Sequence, residues 1–258
     1  MNPPAALALW GLDPSWWQLL RALCEEGGWP LVPVHLPDPE PASALLSLHQ
    51  LGFAGALVGD DLAEAFYPHV GRTSPEARSV QATDTLSVPP GGYLGFSGHH
   101  TLATALVDAA LEVRLALQGS KLLVLGGGAR ARAALALARL GVSAVILATP
   151  ELPLGERAAA TVPPGPRVRV LWEKDPLLPE LALECDVVAL AAAPGRDLLQ
   201  PYHTLIDLSG QQLGGAALQR VDPSVWQSWR LKRQLEQLLG WQVDLMAIRR
   251  HWPTERAL

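Results

Sequence analysis

The chain is short of cysteine, of charge, of phenylalanine and tyrosine, and of any long apolar run. Its two cysteines, Cys24 and Cys185, lie far apart and form neither a disulfide framework nor a C-x-x-C pair. That excludes a disulfide-built scaffold, and a reducing cytoplasm is the expected home. Charged residues make up only 17% of the chain and the formal net charge is −5, so no general nucleic-acid surface is expected. No apolar stretch is long enough to span a bilayer, so no membrane partner is expected either. Asn2-Pro3-Pro4 lacks the basic n-region of a secretory signal. No Cys or His stands at metal-ligand spacing, so no metal site is expected, and no repeat recurs at a solenoid period.

What is present fits a globular protein. Apolar residues make up 49% of the 258 positions, ample core for one large domain or two modest ones. Nine tryptophans stand against three phenylalanines and three tyrosines; Trp16, Trp17, Trp226 and Trp229 are read as packing residues. Glycine and proline are spread along the chain, as for many turns rather than disorder.

The most informative segment is Lys121-Leu122-Leu123-Val124-Leu125, an apolar run of strand length that enters Gly126-Gly127-Gly128. Ala129 to Leu140 follows as an expected helix that stops before Gly141. The spacing is G-x-G-x-x-A, with Gly126, Gly128 and Ala131 at the small positions. The first glycine permits a tight turn and the second lets a pyrophosphate approach the backbone. The third small residue lets helix pack on strand, and the helix start offers free N–H groups to an anion. The pattern predicts a dinucleotide site; the bland alternative is a tight turn that binds nothing.

Strand and helix alternate elsewhere. Ala6–Trp10, Leu31–His35 and Gly55–Val58 read as strands. Between them, Asp13 caps and Pro14 opens a helix to Glu26 that ends at Gly27-Gly28, and Pro41–Gln50 reads as a second. Asp60 or Asp61 is expected to cap a third, through about His69. A β-rich piece is expected from Arg78 to about Phe96, turning at Pro89-Pro90-Gly91-Gly92. Thr101 to Gln118 reads as an amphipathic helix with Leu102, Leu106, Val113 and Leu117 on one face. Further strands are expected at Ala144–Ala148, Val168–Leu171, Asp186–Ala191 and Thr204–Leu208, and a long helix at Val225–Leu239. Arg230, Lys232 and Arg233 read as its solvated face.

This order resembles shikimate dehydrogenase. The similarity rests on Gly52-Phe53-Ala54-Gly55-Ala56, like the G-x-x-G-x before that family's N-V-T-x-P-x-K. Ala82 with Thr85-Leu86 resembles its A-V-N-T-L, and Leu94-Gly95-Phe96 its L-G-Y before N-T-D. Gly126 to Arg132 is similar to G-A-G-G-A-x-R. Asp186, Pro194 and Gly195 are retained from D-(apolar)-N-A-T-P-x-G. The resemblance implies an α/β fold: an N-terminal α/β substrate lobe plus a Rossmann-type lobe with a doubly wound parallel sheet. The substrate lobe would be 1–100 with 240–258 returning to it, and the dinucleotide lobe 101–239. It implies an NAD(P)-dependent oxidoreductase of aromatic amino acid biosynthesis, with a small-molecule substrate and NADP or NAD as cofactor. Homodimer formation is left open.

Carried over position by position, the resemblance places the dinucleotide on Gly126, Gly127, Gly128, Ala129, Arg130, Ala131, Thr149 and Ala191. Ser15, Thr85 and Ser97 fall on the substrate side. The family's catalytic lysine falls at Ala63 and its aspartate at His99, after Ser97-Gly98; the asparagine of A-V-N-T becomes Asp84. His99, with Asp84, is therefore the candidate proton-handling pair. N-V-T becomes Leu57-Val58-Gly59, and the carboxylate-holding S-x-S-P becomes Asp13-Pro14-Ser15. The N-R-T that meets an NADP 2′-phosphate becomes Ala148-Thr149-Pro150, with Glu151 next. Arg130, Arg132 and Arg157 are either a substitute positive charge or solvated surface arginines. These departures leave three readings: an oxidoreductase with altered or lost shikimate activity, a non-catalytic dinucleotide-binding sensor or partner protein, or an interaction protein with a relic loop.

Overall fold

The computed structural model describes residues 5–37, 40–88, 95–192, 198–210 and 219–252. The expected turn at Pro89-Pro90-Gly91-Gly92, and Leu94, Pro194 and Gly195, lie outside the described residues. The described chain forms two units: one holds the residues up to Thr101 together with those from Arg230 on, the other Leu102–Trp229.

The first unit starts with β1 (Ala5–Trp10) and α1 (Pro14–Gly27). Asp13 caps α1 by accepting from Ser15 N, and Gly28 ends it in the left-handed conformation. Then come β2 (Leu31–His35), α2 (Pro41–Gln50), β3 (Gly55–Val58), α3 (Asp60–Phe66), β4 (Arg72–Thr73), α4 (Pro75–Val80), β5 (Thr85–Ser87) and β6 (Ser97–His99). The sheet order is β2-β1-β3-β5-β6-β4. β1 pairs parallel with β2 and β3, while β5 runs antiparallel to both β3 and β6. Strand alternation sends Leu7, Leu9 and Leu57 to one face, against Leu19, Leu20 and Leu23 of α1. Ala8, Trp10, Ala56 and Val58 go to the other face, against Leu48 and Phe66. The edge strand β2 is blunted: Pro33 has no N–H to offer, and its carbonyl accepts from Trp17 Nε1 at 2.9 Å.

Two expectations for this unit are corrected. Arg78 lies in a helix, not a β-rich piece, because Ser74 caps α4 by accepting from Ala77 N at 3.1 Å and Pro75 opens it. Neither Asp60 nor Asp61 caps α3; the cap position is Gly59, and Asp60 is its first residue.

The second unit runs α5 (Leu102–Glu112), β7 (Lys121–Leu125), α6 (Gly128–Ala134), β8 (Ala144–Thr149), α7 (Leu152–Ala159), β9 (Arg167–Trp172), α8 (Leu178–Leu183), β10 (Val187–Leu190), β11 (Thr204–Asp207) and β12 (Gln219–Val221). The all-parallel sheet has order β12-β11-β10-β7-β8-β9. Its inner strands are nearly continuous apolar runs, as burial on both faces demands. α5 stops well short of the expected Gln118. Arg114 takes a left-handed φ of 52°, and Leu115 N bonds back to Ala110 O at 2.9 Å, a helix-ending pattern with arginine where glycine is usual. α6 passes into a 3₁₀ helix at Leu135–Leu140, and β12 was not anticipated.

α9 (Pro223–Leu239) then carries the chain back to the first unit, followed by α10 (Leu245–Arg250). Leu231, Leu235 and Ile248 join the cluster around Leu7, Leu9 and Leu57. Gly55 makes room for this: a Cβ there would stand 2.6 Å from Leu238 Cδ2 and 2.2 Å from Leu86 O. No helix among the described residues is long and apolar enough to cross a membrane.

Candidate functional site

In the second unit, β7 has β8 on one side and β10 on the other. The strand order therefore reverses between β7 and β10, and in such sheets ligands bind outside the carboxyl ends of the strands at that point. Gly126 lies directly beyond β7, at φ 115°, which only glycine adopts without strain. A Cβ there would meet Ala192 Cβ and N at 2.9 Å. Ala191 N bonds to Leu125 O at 2.8 Å and ties the two strand ends together. Gly127 precedes α6, and Gly128, its first residue, has φ 74°. Ala129 and Ala131 are buried, letting the helix lie close on the sheet. The cradle fits the backbone approach that a pyrophosphate needs.

Of the three arginines, Arg157 is exposed as a surface group, while Arg130 is partly buried and Arg132 buried. Arg132 is buried, its Nη1 3.6 Å from Glu151 Oε2. Arg130 donates from Nη1 to Ser209 O at 3.3 Å, beyond β11. Thr149 is buried at the end of β8, where its Oγ1 accepts from Glu151 N at 3.2 Å.

In the first unit, Thr85 pairs with His99 and Ser87 with Ser97 across the β5–β6 ladder, so these four share one face. His99 Nε2 lies 3.1 Å from Ser87 Oγ. Burial pushes the His99 pKa down, against a smaller upward pull from Asp84 and Glu76. Ser15, in the first turn of α1, belongs to a different part of the unit.

Asp84 is fully buried. Its carboxylate accepts Thr101 N at 3.1 and 3.0 Å, Thr101 Oγ1 at 2.9 Å, Thr85 Oγ1 at 2.9 Å and Arg230 Nε at 3.1 Å. Arg230 Nη2 also donates to Asp60 Oδ1 at 2.6 Å. Arg230 is thus no solvated residue: burial opposes its charge, but Asp60 and Asp84 outweigh that and raise its pKa. Lys232 and Arg233 pair with Glu236. Ala63, at the family's lysine position, is fully buried in α3.

No family model matches the chain. It is 29% identical over 194 residues to the NADP(+) shikimate dehydrogenase of Arthrobacter sp., 69% of this chain and 64% of that relative. Among solved structures, quinate dehydrogenase from Corynebacterium glutamicum in complex with NAD superposes with TM-score 0.79 at 17% identity, covering 97% of this chain and 99% of that one. Shikimate dehydrogenase from Aquifex aeolicus gives 0.78 at 17% identity, covering 96% and 97%. The chain is thus similar to shikimate dehydrogenases in sequence and shares their fold.

Set beside that likeness, the divergence lies in side chains, not in backbone. The polar ladder of Thr85, Ser87, Ser97 and His99 brings three of the expected residues together. The sequence reading missed two ionic clusters, Arg230 with Asp60 and Asp84, and Arg132 with Glu151. Only the spacing of a lone acid after a Rossmann strand could have signalled the second.

Proposed function

We propose that the chain is an NAD(P)-dependent oxidoreductase whose substrate differs from shikimate. The observation that carries this is the cradle at Gly126, Gly127 and Gly128, set where the parallel sheet reverses its order. The shikimate and quinate dehydrogenase relatives support it. A bound nicotinamide would supply or accept the hydride. His99 is the proton carrier: near neutrality its half-buried imidazole is uncharged and serves as a base toward a substrate hydroxyl, with Ser87 Oγ fixing the ring. Asp84 holds Thr101 and Arg230 in place instead of moving the proton, because hydrogen bonds already engage both its oxygens. Thr85 and Ser97 border the same face, and Leu57-Val58-Gly59 offers a substrate no side-chain hydrogen bond where the resembled family has N-V-T.

The test is NAD(P)H oxidation with a panel of cyclic ketones and keto acids, and alcohol oxidation in the reverse direction. His99→Ala should lose roughly 10²–10⁴ of the rate. In the parent, alcohol oxidation should fall as pH drops through a pKa below the ordinary histidine value, since protonation removes the base. Equal rates in both proteins sink the role of His99. Dinucleotide binding without turnover on any substrate favours a non-catalytic sensor or partner protein, the second reading, which the buried Ala63 and the fully engaged Asp84 support.

A further inference from the structure

Glu151 begins the connection from β8 to α7, two residues past the end of the second Rossmann strand. It takes the cap position of α7, yet its side chain makes no capping bond; its carbonyl accepts Gly155 N at 2.8 Å. The carboxylate turns to Arg132, whose side chain is 5% exposed. Oε2 lies out of contact with solvent and has no hydrogen-bond partner, while the side chain as a whole is 43% exposed. The exposed part of the carboxylate group is therefore not Oε2. The residue before this acid, Pro150, borders the glycine cradle: its ring would lie 3.2 Å from a Cβ on Gly127.

An acid beyond the second strand accepts the adenosine ribose 2′-hydroxyl in NAD-binding sites, whereas an arginine there accommodates the 2′-phosphate of NADP. The three residues before Glu151 are Ala148, Thr149 and Pro150, none of them cationic. Arg132 is close, but Glu151 compensates its charge. Arg130 is engaged at Ser209 O. A 2′-phosphate would meet the charge of Glu151, and none of Ala148, Thr149 and Pro150 at the strand end offers a cation to offset it.

We infer that Glu151 makes the dinucleotide site selective for NAD(H) over NADP(H), by accepting the ribose 2′-hydroxyl and repelling a 2′-phosphate. This rests on the reading of the glycine loop as a dinucleotide site, and it separates the chain from the NADP(+)-named shikimate dehydrogenase of Arthrobacter sp.. Arg132 is the second half of the device. Without the carboxylate Arg132 loses the Glu151 share of its compensation, so one substitution removes the repulsion and leaves the loop after β8 more positive.

The experiment is titration of the full chain with NADH and with NADPH by calorimetry, for the parent, Glu151→Gln and Glu151→Ala. The parent should bind NADH tighter by at least roughly tenfold, the size expected for one hydrogen bond to a charged group. Both variants should weaken for NADH and tighten for NADPH, moving the affinity ratio about ten- to hundredfold. Added salt should narrow the parent's preference more than that of either variant. Far-UV circular dichroism checks the fold, and Glu151→Gln, which keeps the shape, decides if Glu151→Ala is unstable. A parent that prefers NADPH, or a ratio unchanged in the folded variants, overturns the role of Glu151 and leaves the dinucleotide site standing. A parent that binds neither ligand at millimolar concentration overturns the site and the selectivity together.

Discussion

Replacing Arg230 with methionine tests whether the ion cluster of the first unit is part of its core. The substitution keeps an unbranched apolar stem and deletes the guanidinium that Asp60 and Asp84 share. The side chains of Arg230, Asp60 and Asp84 are 10%, 13% and 0% exposed, so solvent screens the pairs little. Breaking a buried pair by removing one partner costs about 3–5 kcal/mol, because a charge is left without compensation. Thr101 and Thr85 still donate to Asp84, and Asp60 can rehydrate at its exposed edge, which favours the lower figure. A loss of about 3 kcal/mol corresponds to a fall in Tm on the order of 10 °C for a chain of this size. Urea denaturation followed by tryptophan fluorescence, with calorimetry alongside, measures it. Arg230→Lys should recover only part of the loss, because an ammonium cannot present the planar fork that spans both carboxylates. Adding Asp84→Asn to Arg230→Met should restore part of the stability, since it removes the fully buried charge that Arg230 compensated and leaves only Asp60, at 13% exposure, without it. A loss below about 1 kcal/mol at unchanged m-value would refute the reasoning, because pairs worth that little are solvent-screened.

Gly126→Ala should abolish dinucleotide binding and cost roughly 1–3 kcal/mol, because φ 115° and a Cβ 2.9 Å from Ala192 are both unfavourable; calorimetric titration and a urea melt check the two effects. Cys24 and Cys185 are buried, and burial is the main cause pushing each thiol pKa up to about 11. At pH 8 neither should react with a chromogenic disulfide reagent in the native protein, and both should react in denaturant; rapid native labelling would contradict this.

The strands were legible in the sequence because apolar runs bounded by turn residues leave few alternatives. Gly55–Val58 and Lys121–Leu125 come out with the same bounds in the structure. Helix ends were legible where the usual residue stands, as with Asp13, Pro14 and Gly28 around α1. They were hidden where an unusual one does the work, as with Arg114 ending α5. The glycine cradle was readable because its chemistry is local. The ion clusters were not, because Asp60, Asp84 and Arg230 meet only once the strands have paired and α9 has returned. Arg230 looked like one of a surface run with Lys232 and Arg233; nothing in three neighbouring basic residues says which of them turns inward.

The return of α9 has a consequence for the order in which the molecule can mature. Synthesis makes Asp60 and Asp84 before any segment of the second unit exists. Their shared countercharge, Arg230, comes last but for the final few dozen residues, together with Leu231, Leu235 and Ile248, which complete the apolar cluster. Until then the nascent first half carries a carboxylate that it cannot bury and a sheet face that it cannot cover. The half that is made first is completed last, and a ribosome that stalls anywhere before Arg230 releases a fragment with that face open.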